Sequence, residues 1–213
     1  MFEFTKNELR DLVIAFIVLS IAFAIANVKF DLHAFISILP IVMFGVGVGF
    51  LLHELGHKYV ANKYGYKAEF KLWPIGLLIA LITSLIGWVF ALPGEAKITA
   101  ENIDEETTGK IAIAGPMANI GLGLLFIVIA AITYPLKSSF TLFELIYLVS
   151  TVGFSVNAFL ATFNILPFYT LDGTKVMKWS VKAFIVAFAI AAIMMLSSMF
   201  IGAENMILML IGS

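Results

Sequence analysis

The run from Ile36 to Leu52 carries no charged residue, and it ends on His53-Glu54-Leu55-Gly56-His57. That run approaches the ~20 apolar residues with which a helix crosses a bilayer. Ionisable groups arriving at membrane depth are costly and mark function, with a partner to be sought. On a helix, residues i and i+4 share a face, about 40° apart and roughly 6 Å along the axis. Two imidazoles so placed can bind one Zn²⁺, and the Glu between them is in position to take a proton from an attacking water. The plain alternative is a hydrogen-bonded structural His in an apolar helix. However, the chain has three His in all, and two of them fall in this motif. The third, His33, has no motif around it and reads as an ordinary loop residue.

Composition sets the class. The 213 residues are 62% hydrophobic and 13% charged, against about 25% charged in soluble domains, which implies an integral membrane protein. Net charge is −1 and Arg10 is the single arginine, so there is no footprint for nucleic acid. The absence of Cys excludes disulfides and thiolate metal sites. Apolar segments at 12–28, 36–62, 109–134, 141–166 and 179–201 predict spanning helices, the first a retained span because it lacks a signal-peptidase cleavage pattern. The tail after Gly202 is too short to cross. The expected fold is an all-α polytopic bundle of five to six transmembrane helices with a small β-hairpin or re-entrant element. Residues 1–213 read as one transmembrane domain, with no PDZ or other soluble domain.

The segment 74–92 decides the topology. Its apolar length nearly suffices to span, but Gly76, Thr83, Ser84 and Gly87 interrupt it, and Ala68–Trp73 before it alternates like a strand. Lys58, Lys63, Lys67 and Lys71 follow the first motif, and Lys175, Lys178 and Lys182 follow the fourth helix. The positive-inside rule places both clusters in the cytoplasm. An even number of crossings must separate them, so 74–92 is expected to dip in and return. The stretch Pro93–Lys110, with Glu95, Glu101, Asp104, Glu105 and Glu106, reads as a solvated loop.

A catalytic zinc takes three protein ligands and keeps one position open. No His remains after Lys58, and the candidate acids are Glu144, Asp172 and Glu204. Glu144 begins its helix at the end far from the cytoplasm. Asp172 follows the cytoplasmic end of helix 141–166, on the side of His53 and His57, so topology selects it. It closes the pattern Asn164-x-x-Pro167-x-x-x-x-Asp172-Gly173, in which Pro167 ends the helix and Gly173 permits a tight turn.

Together with His53–His57 and the lead-in Ile113-Ala-Gly-Pro116, this pattern resembles the site-2 protease family of intramembrane zinc metalloproteases. The resemblance implies three helices around one zinc, a membrane-embedded β-hairpin beside it, and cleavage of single-pass transmembrane substrates. Carried over by position, His53, His57 and Asp172 bind the metal and Glu54 is the base. Asn164 is similar to the residue that holds substrate backbone or the oxyanion, and Asn119 is expected to do comparable work, unless both are interhelical hydrogen-bonding residues. Thr174-Lys175 departs from the family pattern. The expected partners are single-pass membrane proteins and the lipid bilayer, with no nucleic acid. The expected location is the cell membrane, with the active site toward the cytoplasm. Rival readings are a membrane zinc transporter or an inactive helix-binding scaffold, neither of which needs a Glu beside a ligand His.

Overall fold

The computed structural model describes residues 4–28, 30–100 and 102–212. Five helices among them are long and apolar enough to cross a membrane. They are α1 (Lys6–Val28), α2 (Leu32–Lys63), α4 (Glu105–Thr133), α5 (Thr141–Asn164) and α7 (Val181–Leu196), the last continuing through a π-turn at Ser197–Ile201. The final helix, α8 (Ala203–Ile211), is short. Local chemistry sets several starts. Asp31 accepts from Ala34 N at 3.0 Å and Asp104 from Thr107 N at 2.7 Å, each capping exposed helix N–H groups. Asp104, with Glu105 and Glu106 in the first turn, favours the helix N-terminus electrostatically. For that reason α4 begins before the apolar run at 109. His33 lies in the first turn of α2 and not in a loop.

Between α2 and α4 the chain forms β1 (Lys67–Leu72), α3 (Pro74–Ser84) and β2 (Gly94–Thr99). The strands pair antiparallel, Lys67 opposite Thr99 and Leu72 opposite Gly94. Both ends of 73–93 are thereby held together, and the segment dips and returns. Pro74 starts α3, where a missing N–H costs nothing, and the helix is ~16 Å long at 1.5 Å per residue. Gly87, at φ +87°, reverses the chain, a conformation costly for any residue with a Cβ. The extended return is covered by protein: Val89, Ala91 and Leu92 are buried, and Thr83 Oγ1 accepts from Phe90 N at 3.0 Å. The expectation of a plain loop over Pro93–Lys110 is corrected, since β2 and the first turn of α4 lie there. Glu101 falls outside the described residues.

The two edges of this hairpin differ. Along β1, Glu8 Oε1 accepts from Phe70 N at 3.2 Å and Asp11 Oδ2 from Leu72 N at 3.3 Å. Glu8 is itself anchored by Lys58 Nζ at 2.7 and 2.5 Å. Carboxylates of α1 therefore occupy the place of a third strand. Because Phe70 and Leu72 aim their N–H groups away from β2, their partners Ala96 and Gly94 aim theirs away from β1.

Two apolar cores flank a polar seam. One gathers Leu19, Phe23, Val46, Phe50, Phe70 and Leu77. The other gathers Ile120, Phe126, Phe154, Ile165, Val176 and Ala191. Between them lie the buried side chains of His53, His57, Asn119, Asn157 and Asp172.

Candidate metal centre

Helix α2 carries His53 and His57 on its buried face, with His53 ~15 Å back from its C-terminus at 1.5 Å per residue. Their rings stand at 83° with centroids 4.6 Å apart, so the two Nε2 atoms converge to 3.0 Å. Asp172 Oδ2 is 3.2 Å from each Nε2. It reaches them because α5 ends at Asn164 and residues 165–171 turn back through short backbone bonds, Phe168 N to Leu166 O at 2.9 Å and Leu171 N to Phe168 O at 3.1 Å. Helix α6 (Asp172–Trp179) then starts hard against the end of α5. A Cβ on Gly173 would sit 1.9 Å from Ile165 O, so only glycine allows that approach.

Two Nε2 atoms and a carboxylate oxygen this close require a positive charge among them, either a proton or a metal ion. Burial alone would push the Asp172 carboxyl up; where the positive charge is a proton on the imidazoles, His57 and His53 hold it well below the usual carboxylate range. Both outward ring nitrogens meet acceptors: His53 Nδ1 lies 2.7 Å from Asn119 Oδ1, and His57 Nδ1 lies 2.8 Å from Ile111 O. Each Nδ1 therefore keeps its hydrogen, and each Nε2 offers its lone pair inward. Three donors at 2.0–2.2 Å from one tetrahedral ion stand roughly 3.3–3.5 Å apart, close to the spacing seen. The donor set of two imidazoles and one carboxylate fits zinc. The face behind the donors is the backbone of α4: a Cβ on Gly115 would fall 2.4 Å from His57 Nε2 and 2.6 Å from His53 Nε2.

Glu54 lines the cleft that opens onto this cluster, and its Oε2 is buried without a hydrogen-bond partner among the described residues. Such an orphan carboxylate oxygen is costly, which marks it as an acceptor held for something other than the fold. The opposite wall of the cleft is the return segment and β2, from Leu92 to Lys97. At the rim, Trp73 and Tyr169 pack with centroids 5.7 Å apart, and Lys175 Nζ lies 3.9 Å from Glu95. Tyr169 has φ +52°, a strained value for a non-glycine residue.

The structure thus brings His53, Glu54, His57 and Asp172 together. Asn164 lines the same cleft, and its amide donates to Leu160 O at 2.9 Å. Of the two roles left open for Asn119, interhelical hydrogen bonding matches its place: the side chain is fully buried behind His53, with its Nδ2 donating to Gly49 O at 3.0 Å and to Asn157 Oδ1 at 2.9 Å. Sequence reasoning missed Asn157 because a lone Asn in an apolar helix has no spacing that ties it to a site. The rival acids lie elsewhere. Glu204 pairs with Lys137 at 2.7 Å, and Glu144 borders the same small cleft at the turn between α4 and α5.

Comparison with known proteins agrees with this chemistry. A model described as peptidase family M50 matches residues 41–152. The chain is 39% identical over 181 residues to "Putative zinc metalloprotease MJ0611" of Methanocaldococcus jannaschii, spanning 84% of this chain and 88% of that protein. It is 30% identical over 172 residues to "Zinc metalloprotease MJ0392" of the same organism, spanning 80% of this chain and 41% of that protein. To "Putative zinc metalloprotease YwhC" of Bacillus subtilis it is 25% identical over 157 residues, spanning 67% of this chain and 70% of that protein. No solved structure gives a significant match. With the zinc-type donor set and five spanning helices, these matches identify the chain as a member of peptidase family M50, the site-2 protease family, and as a multi-pass membrane zinc metalloprotease.

Proposed function

We propose that the chain hydrolyses peptide bonds within the transmembrane helices of single-pass membrane proteins, with its site toward the cytoplasm of the cell membrane. His53, His57 and Asp172 hold one zinc, and the spans act as one protease unit. When bound there, zinc supplies Lewis-acid polarisation of the scissile carbonyl and acidifies the attacking water. Glu54 takes the proton from that water and delivers it to the leaving amine, as a general base that becomes a general acid. The observation that carries this reading is Glu54 Oε2, without a hydrogen-bond partner among the described residues and buried at the wall of the cleft beside the three-donor cluster. A transporter or a scaffold gives no reason to keep a carboxylate there.

Substrate geometry supports the same reading. Helical peptide bonds are shielded by their own hydrogen bonds, so a substrate helix must unwind before it is cut. The free edge of β2, with the N–H and C=O groups of Gly94 and Ala96 directed away from β1, suits pairing with an unwound segment as an added strand. Asn164, on the same cleft, holds the substrate backbone beside the scissile bond.

The test is Glu54→Gln, assayed for zinc content and for cleavage of a model transmembrane substrate. Zinc should stay at one per chain while cleavage falls by roughly 10²-fold or more, the usual scale for a lost general base. Cleavage near the wild-type rate would exclude the mechanism.

A further inference from the structure

Behind His53 runs a line of hydrogen bonds whose direction is fixed by two backbone carbonyls. Asn157 Nδ2 lies 2.8 Å from Gly153 O, and a carbonyl only accepts, so the amide nitrogen of Asn157 faces it. Asn157 Oδ1 is thereby turned toward Asn119, whose Nδ2 is 2.9 Å away. Gly49 O, 3.0 Å from the same Nδ2, imposes the same orientation from the other side. Asn119 Oδ1 is then left to face His53 Nδ1 at 2.7 Å. An oxygen there obliges Nδ1 to carry the hydrogen and leaves the Nε2 lone pair on the inner side of the ring. Asn119 and Asn157 are both fully buried, and neither lines the catalytic cleft. That burial leaves neither amide open to the cleft, and a merely packing role does not account for two amides aligned head to tail on a metal-site imidazole.

We infer that Asn157 is a positioning residue of the metal centre, acting through Asn119 to fix the tautomer and ring orientation of His53. The inference rests on the reading of His53 as a zinc ligand. Gly49, His53, Asn119 and Asn157 stand on α2, α4 and α5, so the relay also ties the ligand to the relative placement of three helices.

Zinc affinity of the purified full chain, measured by competition with a chromogenic chelator, tests it without reference to activity. Asn119→Ala should weaken zinc binding by 10- to 100-fold, the scale for partners of a ligating His, and Asn157→Ala by roughly 10-fold. Because Asn157 acts through Asn119, the double variant should bind zinc no more weakly than Asn119→Ala alone. Phe154→Leu, a buried change one turn away, should lower the melting temperature with zinc affinity unchanged. Asn157→Ser, a milder loss of the acceptor, is read in the same way if Asn157→Ala does not fold. Unchanged affinity in the Asn157 variants, a full further loss in the Asn119→Ala background, or an equal loss in Phe154→Leu would each overturn the relay. His53→Ala, run alongside, separates the two readings: if it keeps wild-type affinity, the site assignment itself fails.

Discussion

At the scale of single residues, the centre depends as much on an absent side chain as on those present. Gly115 lies where any Cβ would press on both Nε2 atoms, at 2.4 and 2.6 Å. Gly115→Ala favours α4 by about 1 kcal/mol in helix propensity, so the helix has no intrinsic reason to break. The imidazoles must move instead, and a metal site tolerates only about 0.2 Å. Helix content should be unchanged while zinc affinity falls by roughly 10-fold or more, as read by metal analysis and circular dichroism. Retention of full zinc affinity would show that the rings do not sit as described. This contact was illegible in the sequence, where Ile113-Ala-Gly-Pro116 is only a small-residue stretch. His53, Glu54 and His57 were legible because a helix fixes the distance between i and i+4. Asp172 was legible because depth and side eliminated its rivals. For Asn119 the sequence left two roles open, because sequence distance says nothing about which face of α4 meets α2, and that face is the one behind His53.

At the scale of elements, the hairpin shows which signals survive in sequence. The spanning helices were readable because lipid demands unbroken apolar length. β1 was readable from its alternation. β2, Gly-Glu-Ala-Lys-Ile-Thr, hid inside a charged stretch, because one side of it faces the polar cleft and the apolar pattern is lost. Its role follows from how α1 treats its partner. Glu8 and Asp11 satisfy the outward N–H groups of Phe70 and Leu72, which leaves the β2 edge as the one open to an incoming strand in this hairpin. Ala96→Pro removes an outward N–H without touching the β1 ladder. If substrate joins that edge, cleavage of a transmembrane substrate should fall by roughly 5-fold, the worth of about one hydrogen bond. Zinc content and melting temperature should hold. Cleavage at the wild-type rate would exclude strand addition at Ala96.

At the scale of the whole molecule, orientation follows from where the donors and the lysines gather. His53 and His57 occupy the C-terminal half of α2, Gly115 the N-terminal half of α4, and Asp172 the segment after α5. One end of the bundle therefore carries the site. The paired strands hold the residues on either side of 73–93 at that same end, so α4 and α5 supply the two crossings that bring Asp172 back to His53. Were 74–92 to cross fully, Asp172 and His53 would be separated by about the ~30 Å of the bilayer core, against the 3.2 Å between Asp172 Oδ2 and His53 Nε2. Lys58, Lys63, Lys67, Lys71, Lys175, Lys178 and Lys182 all gather at the site end, while Lys137 sits at the turn between α4 and α5. In the orientation proposed above, the lysine-rich end faces the cytoplasm, as the positive-inside rule expects. The chain has no Cys, so single substitutions can be labelled one at a time with a membrane-impermeant maleimide. Asn102→Cys and Lys178→Cys should react only after the membrane is opened, and Ser138→Cys should react in intact cells. Labelling of position 102 from outside, with position 138 protected, would invert the molecule. Labelling of 102 and 178 from opposite sides would instead break the re-entrant arrangement that brings the aspartate to the two histidines.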